Sequence, residues 1–236
     1  DPLWSRGLGD VYKRQLHALV SSPLLGTSAH VFGAANLSAL AYRAVFKGLL
    51  LTVSELVQPE YLPDLDALVD LWYGTFRDAS GDVADGAAAL CLQFWTQDLP
   101  YPTRTSVLDT ARRRFPASLR PLVRLARALS GTAPEVPAPD TAASAADLLM
   151  HLPTLALVMP PRAAALAPWQ PVTEPTAPSV QYELRTPLPV AATRLVIPAG
   201  TRGTLVSPPD EAPAVVLWQL PAPVSAWHVL HDTLAY

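Results

Sequence analysis

Apolar residues recur at helical spacing through the first half of the chain and at shorter, strand-like intervals towards its end. Residues 36–57 read as a helix, with Asn36 as N-cap and Leu37, Leu40, Ala41, Ala44 and Val45 at helical spacing. Pro59 and Pro63 then break the pattern, because a proline disfavours helical backbone in the residue before it. Pro63 also suits the first turn of a second helix, whose Leu65, Leu68, Val69, Trp72 and Phe76 form one apolar stripe. Ser80-Gly81 punctuates before a third helix over about 82–95. That segment is alanine-rich and nearly uncharged on its later turns, the pattern of a helix covered on more than one side. Pro100 and Pro102 end it, and residues 103–114 start another. The clearest amphipathic segment is 116–130, with Leu119, Leu122, Val123, Ala126 and Leu129 on its apolar face. Arg120, Arg124 and Arg127 stand opposite, and Gly131 supplies a stop.

The pattern changes after Gly131. Residues 134–139 read as a linker, 140–151 as one more helix, and 152–159 as an apolar piece that docks. Residues 160–179 hold six prolines and show neither helix nor strand periodicity. From Val180 strand signals take over. Tyr182 and Leu184 alternate, Leu195-Val196-Ile197 runs into the turn Pro198-Ala199-Gly200, and Thr204-Leu205-Val206 follows. After Pro208-Pro209-Asp210, Val215-Val216-Leu217-Trp218 reads as a buried strand. Short strands at close spacing predict a small β-barrel. Residues 227–236 return to helical character. Short helices joined by tight proline turns predict an α-solenoid before the barrel, without a strict repeat period.

Composition sharpens this division. Of 26 prolines, eight lie in 1–133 and eighteen in 134–236. Charged residues make up only 16% of the chain and the net charge is −3, which argues against a general nucleic-acid or anionic-membrane binder. No apolar run approaches the roughly 20 residues that a membrane-spanning helix needs. A single cysteine, Cys91, excludes a disulfide framework and fits a reducing compartment. The hexapeptide Asp10-Val11-Tyr12-Lys13-Arg14-Gln15 is similar to a translated sequencing adapter, so residues 1–15 are expected to be a scar outside the fold.

Candidate chemistry is sparse. The sequence carries no nucleophile elbow, phosphate-cradling glycine loop or dinucleotide fingerprint. His228 and His231 stand three residues apart beside Asp232, a spacing that puts two imidazoles on one helix face. Solvated or packing histidines are the simpler reading, since no further histidine or cysteine lies nearby in sequence. Arg113, Arg120, Arg124 and Arg127 belong to the one dense charge cluster, a possible contact for phosphate or an acidic partner. With no aromatic residues interleaved for base stacking, the water-facing side of helices explains them more simply. Cys91, on an apolar helix without basic neighbours, reads as a buried structural thiol.

Two stretches together resemble a known family. The first is Leu108-Asp109-Thr110-Ala111-Arg112-Arg113-Arg114-Phe115-Pro116 with Leu122, Leu125 and Ala128-Leu129. The second is Ile197-Pro198-Ala199-Gly200-Thr201-Arg202-Gly203-Thr204, then Val216-Leu217-Trp218, then Ser225-Ala226-Trp227. Their order resembles the N-terminal region of the large scaffold nucleoporins of the nucleoporin one-eighty-eight family, in which an SH3-like barrel is inserted into an α-solenoid. The resemblance spans about residues 85–130 and 182–236. It implies a barrel signature of Gly200, Thr201, Gly203, Trp218 and Trp227, the glycines making the turn and the tryptophans filling the barrel and its seam.

The resulting expectation is a mostly α protein, α+β overall: α-solenoid helical pairs over 16–133, a proline-rich spacer with one or two short helices over 134–179, an SH3-like barrel over 180–228 and the start of a returning helix over 229–236. By resemblance, the function is architectural, in the inner ring of the nuclear pore complex at the nuclear envelope, supporting transport by positioning other nucleoporins. It implies no catalysis, no cofactor and no metal. Partners would be other scaffold and linker nucleoporins, met mainly through regions outside this stretch, without nucleic acid or membrane insertion. The alternative is a cytosolic adaptor whose barrel binds proline-rich peptides. A third reading, an enzyme built on His228, His231 and Asp232, requires those side chains to meet in a pocket.

Overall fold

A computed structural model describes residues 65–76, 84–96, 103–131, 139–160, 168–172, 179–206 and 214–235, together with the helical positions 14, 18, 41, 44, 45 and 47–50. Arg14 excepted, the expected scar lies outside the described residues, as does most of the expected 36–57 helix. The elements are α1 (Leu65–Phe76), α2 (Ala84–Thr96), α3 (Thr103–Arg113), α4 (Arg120–Leu129) and α5 (Pro139–Met150), then β1 (Leu152–Val158), β2 (Trp169–Val172), β3 (Gln181–Leu184), β4 (Leu188–Pro189), β5 (Val196–Ile197), β6 (Arg202–Leu205), β7 (Val215–Val224) and α6 (Ala226–Ala235). The chain divides into two compact units, residues 1–110 with 120–147, and residues 111–119 with 148–236.

The first unit is helical. Leu65, Leu68, Val69, Trp72 and Phe76, the stripe visible in the sequence of α1, are all buried. α1 packs chiefly on α4, not on its sequence neighbour α2. Trp72 stacks on Phe76 at 5.3 Å between ring centres, and both meet Phe94 of α2 edge-on at 5.4 and 5.7 Å. Such edge and offset contacts suit the quadrupoles of aromatic rings. Cys91 is fully buried, its thiol donating towards the Ala128 carbonyl at 3.4 Å. Gly131, at φ 63°, ends α4 as expected of a left-handed cap. Two details of α4 differ from the sequence pattern. It starts at Arg120, not at residue 116, and its buried face includes Leu125 while Val123 is exposed.

The second unit is built on a five-stranded antiparallel sheet in the order β1-β7-β6-β3-β2, with β4 and β5 forming a separate two-stranded sheet. This overturns the expected fold class. A barrel needs its outermost strands to pair with each other, whereas here β1 and β2 end the order on opposite edges. A solenoid stacks each helix pair on the next along the chain, whereas α1 packs on α4 with two helices intervening in sequence. The molecule is a mixed α and β structure, without a closed barrel or a solenoid among the described residues. Nor is 134–179 only a spacer: it supplies α5 and two strands of the sheet. β1 is the apolar piece 152–159, joined to β7 across a long loop of sequence, Leu155 opposite Trp218 and Val158 opposite Val215. β2 lies in the proline-rich stretch, pairing Trp169 with Leu184 and Pro171 with Tyr182. As the sheet's edge strand it tolerates Pro171.

β1 also explains the late start of α4. Ala156 of β1 accepts from the Ala117 N–H at 3.2 Å and donates to the Phe115 carbonyl at 2.7 Å. The backbone of 115–117 is thereby committed to a strand-like bridge, and a helix begins only beyond it, with Pro121 in the first turn.

Candidate functional site

The sheet places the residues of the barrel signature, and four of the five lie together. Gly200, at φ 79°, forms the turn before β6, where its N–H donates to the Leu184 carbonyl at 2.7 Å. Thr201 is buried; its hydroxyl donates to the Pro198 carbonyl at 2.7 Å and its carbonyl accepts from the Leu184 N–H at 3.0 Å. Gly203 of β6 lies opposite Trp218 of β7 in the register. A Cβ on Gly203 would come within 2.6 Å of Trp218 Cε3 and 2.7 Å of Val216 Cγ1. Only glycine lets the indole lie so close to the strand. Trp218 is fully buried and meets Trp169 edge-on at 5.1 Å. Trp227 departs from the expectation: 49% exposed on α6, it fills no seam. The helix that carries it starts one residue after β7, and its second residue faces outward while Ala226 and Val229 point in.

The arginines are spent on the helical unit itself. Arg120 bonds Asp70 at 3.1 Å and Arg124 pairs with the same carboxylate. The guanidinium groups of Arg124 and Arg127 lie over the Tyr73 ring, 5.3 and 5.9 Å from its centre. Arg113, exposed at the end of α3, falls in the second unit. Arg120, Arg124 and Arg127 are therefore each engaged by a side chain of α1. Asp70 and Tyr73 are the missed partners; on α1 they stand on the side away from the stripe, but nothing in the sequence pairs that side with α4.

A cleft of about 700 Å³ opens in the sheet unit, and it gathers three of the chain's five histidines. His228, His231 and Asp232 line it from α6, together with His151, Arg194 and Ser225. The register of β1 and β7 explains the arrival of His151: it precedes Leu152, which lies opposite Val224, and Ser225 follows Val224. Arg112 donates to the His151 carbonyl at 2.8 Å. Arg194 is held by the tight loop between β4 and β5, where Val190 donates to the Leu195 carbonyl at 2.9 Å and Ala192 takes φ 57°. Its N–H donates to Asp232 at 3.0 Å. That bond, first of all, holds the Asp232 carboxyl below the usual carboxylate range, outweighing desolvation and assisted by the neighbouring His231 and Arg194 charges.

Sequence proximity found three members of this cleft; His151, Arg194 and Ser225 carried no signal, since folding alone brings them there. The cleft has no nucleophile and base in contact. The Ser225 hydroxyl donates to Met150 Sδ at 3.5 Å and accepts from the Trp227 N–H at 3.2 Å, capping α6, so neither bond engages an imidazole. No group of three or more His, Cys, Asp or Glu suited to a metal ion occurs among the described residues. None of the described helices is long and apolar enough to cross a membrane. The chain matches no protein-family model and no curated protein.

Proposed function

We propose that the chain is part of a structural scaffold protein similar to the nucleoporin one-eighty-eight family, working at the nuclear pore inner ring by holding other nucleoporins and without catalysis. The observation that carries this reading is the joint packing of the signature residues. Gly203 and Trp218, separate in sequence, face each other at a distance only glycine permits, beside the Gly200–Thr201 turn. A signature whose members pack on one another is what a structural motif requires, and the reading needs neither solenoid nor closed barrel in this segment. The adaptor alternative has less support. Proline-rich peptides dock on exposed aromatic strips, and Trp218 and Trp169 are buried.

The test is to express the chain with a fluorescent tag in eukaryotic cells and to isolate it under gentle conditions. A nuclear-rim signal with inner-ring nucleoporins in the isolate is the expected result. A diffuse cytosolic signal and an isolate lacking those proteins would overturn the reading.

A further inference from the structure

The segment between β3 and β4 is short and carries one hydroxyl turned to water. Leu184 and Val190 are buried at its two ends, whereas Arg185, Thr186 and Pro187 between them are exposed. Both ends are fastened through the backbone. Leu184 donates to the Thr201 carbonyl at 3.0 Å and accepts from the Gly200 N–H at 2.7 Å, and Val190 donates to the Leu195 carbonyl at 2.9 Å. The Thr186 hydroxyl makes no hydrogen bond among the described residues. Pro187 biases Thr186 towards extended backbone and offers no N–H of its own. Of the chain's three Ser-Pro or Thr-Pro pairs, Ser22-Pro23, Thr186-Pro187 and Ser207-Pro208, only Thr186-Pro187 lies among the described residues. Its neighbour Arg185 holds β2 twice. The Arg185 N–H donates to the Pro168 carbonyl at 2.7 Å, and its Nε donates to Gln170 Oε1 at 2.9 Å. β2 is the outermost strand on this edge and pairs only with β3, so the clasp bears on how firmly β2 stays in the sheet.

We propose that Thr186 is a phosphorylation site for a proline-directed protein kinase, and that its phosphate takes the Arg185 side chain from Gln170 and loosens β2. A kinase whose cleft leaves no acceptor for the N–H after the target hydroxyl selects proline there, because any other residue would bury an unpaired donor. In the step itself the Thr186 Oγ1 attacks the γ-phosphorus of ATP and its proton passes to the kinase's aspartate base. The bond from the γ-phosphorus to the β,γ-bridging oxygen breaks, and ADP leaves with that electron pair. The new ester carries close to two negative charges and three acceptor oxygens one residue from the Arg185 guanidinium. An ionised acceptor binds a guanidinium more strongly than the neutral Gln170 amide does. The inference goes beyond the scaffold reading and does not depend on where the protein resides.

The test incubates the purified, folded chain with ATP and a mitogen-activated protein kinase and maps phosphate by mass spectrometry. Phosphate on Thr186 is the expected result, kept in Thr186→Ser and lost from that peptide in Thr186→Ala. Pro187→Ala should slow the transfer to Thr186 at least about tenfold. Thr186 and Pro187 are exposed, and circular dichroism verifies that each variant is folded. Hydrogen exchange followed over 168–172 reads the second half of the proposal. Exchange there should be about three- to tenfold faster in the phosphorylated chain. A Gln170→Ala chain should show that faster exchange without phosphate, and phosphorylation should add nothing to it. No phosphate on Thr186, or phosphate there only after unfolding in urea, would overturn the proposal. So would exchange in β2 that phosphorylation leaves unchanged, or that it speeds equally in the Gln170→Ala chain.

Discussion

The helical unit is held by side chains that interlock, whereas the sheet unit is held by backbone pairs between strands far apart in sequence. Trp72, Phe76 and Phe94 lock α1 and α2 through ring contacts. In the sheet, β1 and β7 meet across the whole C-terminal half, and the tightest fit is one glycine under one indole. Removing a ring from a close-packed cluster leaves a cavity that its neighbours fill only in part. At the backbone-to-ring contact the failure is the reverse, an added atom that finds no room. The two units should therefore fail differently.

The largest effect is expected at the ring cluster. Phe94→Ala removes a fully buried ring and should cost about 3–5 kcal/mol, read as a lower urea midpoint for the helical signal. A cost below about 1 kcal/mol would mean that the cluster does not hold the unit. Next comes Gly203→Ala, a single added carbon that must displace Trp218 or Val216. It should cost about 1–3 kcal/mol and shift tryptophan fluorescence. Gly200→Ala is its control: the site has open space, so only its φ of 79° opposes a side chain, at about 1 kcal/mol. If both glycine variants cost the same, close approach to Trp218 is not what Gly203 provides.

Ser225→Ala removes the cap of α6 and should cost about 1 kcal/mol, loosening the cleft and not the sheet; amide exchange at Trp227 reports it. Asp70→Asn should be smaller, within about 1 kcal/mol, because the arginines it pairs with are substantially exposed. Its effect should shrink further at high salt. The smallest is the acid response of Asp232. Its carboxyl is held below the usual range, so it contributes stability above the unfolded carboxylate value and loses it as pH falls below about 4. An Asp232→Asn chain should lack that increment of acid sensitivity in a pH titration of the melting temperature.

Lys47 adds a different contrast within the helical unit. Its ammonium is nearly buried and donates to Gln93 Oε1 at 3.1 Å, and burial pushes its pKa down. A lysine held below its ordinary value costs stability at neutral pH, and the cost falls as pH rises towards the unfolded value.

Much of the helical unit was legible. The stripe Leu65, Leu68, Val69, Trp72 and Phe76 is a 3.6-residue period, and every member is buried. Gly131 marked the end of α4 by backbone chemistry that is local, while Ser80-Gly81 lies outside the described residues. The same reasoning failed where the partner is remote. The 152–159 stretch is apolar, and a short apolar run does not reveal whether it docks as coil or pairs as a strand. β2 was invisible because prolines masked a four-residue edge strand. Strand periodicity near the C-terminus suggested a barrel, but closure depends on which strands occupy the edges, a property that no single strand's pattern encodes. The candidate site shows the same limit: His228, His231 and Asp232 share a helix, while His151 reaches them only because Leu152 pairs near Val224.

By itself the sequence determined the helical character of 65–76, 84–96 and 120–129, the buried stripe of α1, where glycine is required by a turn, and that the chain carries few charges and one thiol. These follow from local sterics and from the period of apolar side chains, both of which act over a few residues. The tertiary structure alone decided that α1 meets α4, that Asp70 and Tyr73 occupy the arginines, that residues 115–117 bridge to β1 and delay α4, and that the sheet remains open. Those outcomes depend on which remote surfaces meet. Hydrophobic burial rewards any apolar match and carries no direction, so register and backbone hydrogen bonding choose among the matches only once the chain has folded.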